Sequence, residues 1–263
     1  MSDKTIRRPM RWISAQDSNV GSVREINEDA ILVHPRMDLW AVADGMGGHD
    51  AGHVASSMVV RALEHLSPKD SLDVLVDAVE DCLLEANQRI IEFADIMLDG
   101  RTVGSTVVVL MIKGRVGVCV WAGDSRLYRC RRAEFVQISR DHSKVEELVE
   151  QGCLSRAEGA VHPDANVITR AVGVTPSLSL ELTAFEVQQG DTFLLCSDGL
   201  YNVVPASEIR DVLLNYSLET SVEHLMQKCL NGGATDNVSL IVVQGDQGGV
   251  SRTTSLSGEQ RPV

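Results

Sequence analysis

The 263-residue sequence predicts an α+β fold in which antiparallel β-sheets are covered by pairs of helices. Three observations predict it. Short runs rich in Val, Ile and Leu dominate the outline, as expected of strands buried on at least one face. Two of these runs, residues 105–112 and 116–122, are joined through Lys113-Gly114, which reads as a hairpin turn. Helical periodicity comes in pairs of segments between groups of strands, a pattern that disfavours a doubly wound parallel sheet.

In chain order, strands are expected at 30–33, 39–43, 105–112, 116–122, 126–131, 135–138, 192–197 and 238–243. In residues 53–66, Val54, Met58, Val59, Ala62, Leu63 and Leu66 recur at helical spacing. Leu72, Leu75, Val76, Val79, Leu83, Ala86 and Ile90 form a second stripe across residues 71–93. Two later helices are expected at 206–214 and 221–230. Residues 141–173 have mixed charge and no long apolar period, so they read as a loop-and-short-helix insertion over a sheet edge. Residues 1–10 are expected to be flexible. The Ser- and Gly-rich residues 245–263 are expected to form a disordered polar tail, which leaves 11–244 as one domain.

Composition narrows the function. A net charge of −13 argues against general nucleic-acid binding and is compatible with a site that gathers carboxylates. No apolar stretch reaches transmembrane length, and the N-terminus lacks the apolar core of a secretory signal. A cytoplasmic protein without membrane association is expected. The six cysteines form no C-x-x-C pair and several lie in apolar runs, which reads as reduced core thiols rather than zinc ligands or disulfides.

The informative residues are acidic and sit where strands begin or end. They are Glu28 and Asp29 before AILV, Asp44 after LWAVA, Asp124 after VCVWA, Asp198 after FLLCS and Asp236 before NVSLIVV. Any one of these clusters could be an ordinary turn. Five in one chain are harder to explain that way, because assembled carboxylates repel unless cations neutralise them. An all-oxygen cluster suits Mg²⁺ or Mn²⁺, and several ligands can hold two ions about 3.5–4 Å apart.

The ordered set R-x-x-N-E-D (Arg24 to Asp29), A-D-G-M-G-G-H (Ala43 to His49), G-D-S-R, C-S-D-G-L and A-T-D-N-V resembles the PPM family, the type-2C metal-dependent protein Ser/Thr phosphatases. The resemblance runs from about residue 14 to 243. M-G-G-H and the stretch 162–173 resemble the bacterial branch, whose flap lies here. It implies a four-layer αββα sandwich, two antiparallel sheets flanked by helix pairs, with the metal site at the sheet edges.

The resemblance also implies roles. Asp44 would bridge two Mn²⁺ or Mg²⁺ ions, with the Gly45 carbonyl as a further ligand. Asp198 and Asp236 would complete the first ion's shell, and Glu28, with Asp29 beside it, would serve the second. Asp124 with Asp198 would hold a third, weaker ion. Arg24 would grip the substrate phosphate. The ions would supply hydroxide near neutral pH for in-line attack on phosphoserine or phosphothreonine, and Arg24 would stabilise the transferring group.

Where the animal enzymes carry a histidine two residues after the bridging acid, this chain has Met46. The proton for the leaving group falls instead to His49 or to a metal-bound water. Asn166 and Arg170 are candidates to touch substrate or the third ion, and Asp141 reads as a solvated loop residue. Phosphorylated proteins, with a Ser/Thr kinase and its targets, are the expected partners of a monomeric enzyme.

Other readings fit less well. DGMGG looks like a nucleotide loop, but no Gly-Lys pair exists for a P-loop and the six-residue dinucleotide pattern breaks at Asp50. A phosphatase-like regulatory module without catalysis should lack metal acids, yet all are present. A small phosphomonoester is an alternative substrate. Type VI secretion is one setting for short bacterial phosphatases, with nothing in the residues to show it.

Overall fold

The computed structural model describes residues 10–47, 51–159 and 161–246. In chain order the elements are β1 (Arg11–Asn19), β2 (Asp29–His34), β3 (Leu39–Met46), α1 (Ala51–Glu64), α2 (Leu72–Met97), β4 (Gly104–Ser105) and β5 (Val107–Lys113). There follow β6 (Val116–Ala122), β7 (Arg126–Arg131), β8 (Glu134–Gln137), α3 (Lys144–Glu150), α4 (Arg156–Gly159), β9 (Glu181–Glu186) and β10 (Thr192–Cys196). The chain continues through α5 (Asp198–Tyr201), α6 (Ala206–Asn215), α7 (Leu218–Asn231) and β11 (Val238–Asp246).

One sheet runs β1-β11-β10-β7-β8 and the other β2-β3-β5-β6-β9, with β4 paired to the end of β3. Every pairing between these strands is antiparallel.

Strand alternation explains the layering. Successive side chains of a strand face opposite sides, so a strand that is apolar at every position must be covered on both. Leu39, Ala41 and Ala43 of β3 join Val107, Val109 and Met111 of β5 in a core shared with α1 and α2. The intervening Trp40, Val42, Val108 and Leu110 meet Phe193, Leu195, Ile241 and Val243 of the other sheet. On that sheet's outer face, Leu194, Leu240 and Val242 pack with Ile209 of α6 and Leu225 of α7. The order is helix pair, sheet, sheet, helix pair: the expected four-layer sandwich.

Beyond shifts of a few residues at helix ends, several details differ from the sequence reading. β1 and β9 fall outside the expected strands, because both are partly exposed edge strands without a continuous apolar run. β3 continues through Asp44 and Gly45 to Met46 instead of ending at Ala43. Gly245 and Asp246, expected to begin a disordered tail, pair with Trp12 and Arg11. The expectations for residues 1–9 and 247–263 lie outside the described residues.

The cysteines are free thiols, with Cys119, Cys130, Cys196 and Cys229 buried and Cys153 exposed. Among the described residues no helix is long and apolar enough to cross a membrane.

Candidate active site

The acidic clusters converge on one edge of the sandwich. Antiparallel pairing brings the start of β2 beside the end of β3, with Asp29 opposite Asp44. It likewise brings the end of β10 beside the start of β11, so Asp198 and Asp236 are neighbours. The end of β6 delivers Asp124 to the same edge.

Glycines let these segments close up. A Cβ on Gly45 would lie 2.1 Å from the Gly52 carbonyl oxygen and 2.6 Å from that of Glu28, which accepts the Gly45 N–H at 3.1 Å. A Cβ on Gly199 would lie 2.0 Å from the Asn237 carbonyl oxygen. In both Asp-Gly pairs the glycine is needed for close approach of another backbone.

Arg24, Glu28, Asp44, Gly45, Asp124, Asp198 and Asp236 line one open cleft of about 520 Å³, together with Met46 and the flap residues Asn166 and Ile168. Asp29 is not in this lining. It lies buried, and its Oδ2 accepts a hydrogen bond from Ser197 Oγ at 2.8 Å. His49 lies outside the described residues.

The polar frame of the cleft is built from residues the sequence reading gave no role. The Asp44 N–H donates to Thr106 Oγ1 at 3.0 Å, and Thr106 Oγ1 is 2.7 Å from Ser125 Oγ in the Asp124 turn. Asn237 accepts the Glu28 N–H at 2.8 Å and donates to the carbonyls of Val20 and Ile26, both at 3.0 Å. Tyr201 donates its hydroxyl to the Asp124 carbonyl at 3.1 Å. The legible signal was the position of Thr106, Ser125, Ser197 and Asn237 at or beside the ends of the same strands as the acids.

The electrostatics follow from crowding. Burial, reinforced by the charges of Asp29, Asp198, Asp124 and Asp236, pushes the Asp44 carboxyl well above its ordinary range. Burial and then Asp124 and Asp236 push Asp198 up to about 7. Asp29 and Asp124 are each raised to about 6, chiefly by burial. Within this group Arg24 is the cation that touches an acid: its Nη2 lies 2.9 Å from Asp236 Oδ2.

Glu28 Oε1, Asp29 Oδ1 and Asp124 Oδ1 are buried without a hydrogen-bond partner. Unpaired buried carboxylate oxygens are costly unless something outside the chain satisfies them. Hard divalent cations do so, and the all-oxygen donor set fits Mn²⁺ or Mg²⁺. Among the described residues no three acidic, His or Cys side chains are closed around a single point. The carboxylates share a cleft and remain spread across it.

The flap residues behave differently from expectation. Asp141, read as solvated, has a side chain only 14% exposed and is clamped by Arg126, with Nε and Nη2 donating to it at 2.6–3.1 Å. The Arg126 guanidinium lies 3.4 Å over the Tyr201 ring. Arg170 turns away to Glu181 at 3.0 Å, while Asn166 does reach the cleft.

Residues 21–236 match the family model for protein phosphatase 2C. The chain belongs to the protein phosphatase 2C family. It is 35% identical to the serine/threonine phosphatase Stp of Listeria welshimeri over 233 residues, covering 85% of this chain and 92% of that one.

Among solved structures it resembles PppA of Pseudomonas aeruginosa, described as a key regulatory component of the T6SS. The identity there is 44% and the TM-score 0.83, covering 90% and 99% of the two chains. It also resembles the catalytic domain of the phosphatase PstP in complex with two manganese ions, at 33% identity and a TM-score of 0.81, covering 90% and 99%. Its fold and its activity, protein serine/threonine phosphatase, are those of this family.

Proposed function

We propose that the carboxylate cleft hydrolyses phosphoserine and phosphothreonine in proteins with the help of two divalent cations, in the bacterial cytoplasm, opposing a Ser/Thr kinase. The observation that carries this reading is the group of unpartnered, buried carboxylate oxygens on Glu28, Asp29 and Asp124 beside the mutually repelling Asp44 and Asp198. The manganese ions of the PstP catalytic domain support the same reading.

Asp44, the Gly45 carbonyl, Asp198 and Asp236 would hold the first ion, with Asp44 shared by the second. Glu28 would complete the second from the start of β2, and Asp29 would support it from beneath. Asp124 and Asp198 would hold a third, weaker ion. When bound, these ions supply an activated water near neutral pH and neutralise the gathered carboxylates.

The chain's own residues do the rest. Arg24, half-exposed at the cleft mouth, would turn from Asp236 to clamp phosphate oxygens and stabilise their charge in the transition state. Met46 lines the cleft and has no proton to give. We assign proton delivery to the departing serine or threonine oxygen to His49 or to solvent. Water adds its oxygen to phosphorus, the bond to the side-chain oxygen breaks, and the alcohol and inorganic phosphate leave.

The free cysteines support a reducing compartment, and the likeness to PppA supports a regulatory place for this monomer in type VI secretion. The test is hydrolysis of a phosphothreonine peptide with Mn²⁺, with EDTA and with Asp44→Asn. Activity is expected with Mn²⁺ and in neither other case. Activity that survives chelation sinks the metal mechanism. Mn²⁺ binding without hydrolysis of any phosphopeptide favours a regulatory binding module instead.

A further inference from the structure

A second cavity, of about 390 Å³, lies between the flap and the Arg126–Tyr201 stack. It adjoins the carboxylate cleft, because Asp124 and Asn166 line both. A chain whose phosphorylated residue sits in the cleft can therefore extend into it.

The walls of the cavity sort by chemistry. Val145 and Val149 of α3, with Ala165, give it an apolar side, and Glu146 of α3 gives it a carboxylate. Asp141 also borders it but is already neutralised by Arg126. Glu146 is held differently. Its side chain is 16% exposed, and both its oxygens receive Arg156, at 3.2 and 3.3 Å. The Arg156 side chain is 78% exposed, so its long bonds are loose and displaceable. The chain's own arginine thus shows what the cavity accepts: a guanidinium on Glu146, in a pocket whose other wall, Val145 and Val149, can take an aliphatic stem.

We infer that this cavity is the subsite for a lysine or arginine side chain flanking the phosphorylated residue of the substrate, with Glu146 as the recognising carboxylate and Arg156 as its intramolecular stand-in. The inference rests on the phosphoprotein reading and narrows it to basic-flanked phosphosites. The net charge of −13 favours encounter with such segments.

The test is a series of phosphothreonine peptides in which one lysine or arginine is walked along both sides of the phosphorylated residue. Each is compared with its alanine counterpart, using the Mn²⁺-loaded protein, E146Q and R156A. The parent is expected to prefer the basic peptide at one position by about tenfold in kcat/KM, the scale of one charged hydrogen-bonded contact.

E146Q should reduce that preference to within about twofold by raising KM, leaving kcat and p-nitrophenyl phosphate hydrolysis unchanged. R156A removes a competitor at an exposed position, so it should lower KM for the basic peptide by about two- to threefold. Equal rates for basic and alanine peptides in the parent, or a preference that persists in E146Q, would overturn the subsite and leave the phosphatase reading intact. No hydrolysis of any phosphopeptide would overturn both.

Discussion

The two ends of β10 each carry an aspartate, and the two are treated in opposite ways. Asp191, just before the strand, is fully buried. Arg131 donates to its oxygens from Nε at 2.6 Å and Nη2 at 2.7 Å, and the Gln188 N–H adds a third bond at 2.7 Å. Asp198, just after the strand, faces Asp124, Asp236 and Asp29, and among the described residues its side-chain hydrogen-bond partner is the neutral amide of Asn202 at 3.1 Å. The fold supplies a cation at one end and withholds it at the other. A buried acid paired inside the chain holds the structure. A buried acid left among its own kind waits for charge from outside.

The largest effect expected from this contrast is kinetic. Asp198→Asn should lower phosphopeptide hydrolysis by about a thousandfold or more, roughly 4 kcal/mol of transition-state stabilisation. The ion-free variant should be at least as stable as the parent, because one of several repelling charges has gone. Steady-state kinetics with Mn²⁺ and urea unfolding in EDTA check the two halves. A variant that loses stability in EDTA would show that Asp198 is a structural acid after all.

At the other end of the strand the signs reverse. Asp191→Ala should cost about 3 kcal/mol of stability, the lower end for breaking a buried pair. Arg131 keeps a bond to the Glu186 carbonyl at 2.9 Å and some exposure, which limits the loss. Mn²⁺ dependence and kcat should stay at parent values where the variant is folded. A weakened ion requirement would tie the two ends together and break the comparison.

Much of the site was legible because its acids stand where apolar runs stop, so the pattern that builds the core also aims the acids. The distinction between Asp191 and Asp198 was not legible. Each is a polar residue at the end of TFLLC, and what separates them is an arginine on a different strand, sixty residues upstream in the case of Asp191. Asp141 failed the same way, since Arg126 reaches it only through the pairing of β7 with its neighbours. The edge strands β1 and β9 were hidden because half-exposed strands carry no apolar run. Local pattern reports where a side chain is offered, and tertiary pairing decides whether it is already taken.

The smallest expected effect is also the most direct test of the crowding. Asp198 is raised to about 7 and Asp29 and Asp124 to about 6, against about 4 in an unfolded chain. Between these values the folded protein binds more protons than the unfolded one, so its stability falls as pH rises. In EDTA, moving from about pH 5 to about pH 8 should therefore cost about 2 kcal/mol, well short of a simple sum because the groups titrate together. The loss should come mostly above pH ~5, as the folded-state protons leave. Mn²⁺ binds the deprotonated carboxylates, so saturating ion should restore stability most at the alkaline end and reverse the slope. Thermal unfolding across this range, with EDTA and with Mn²⁺, reads both. A melting temperature in EDTA that holds level or climbs toward alkaline pH would mean that these acids are satisfied within the chain, and Asp198 would then stand no differently from Asp191.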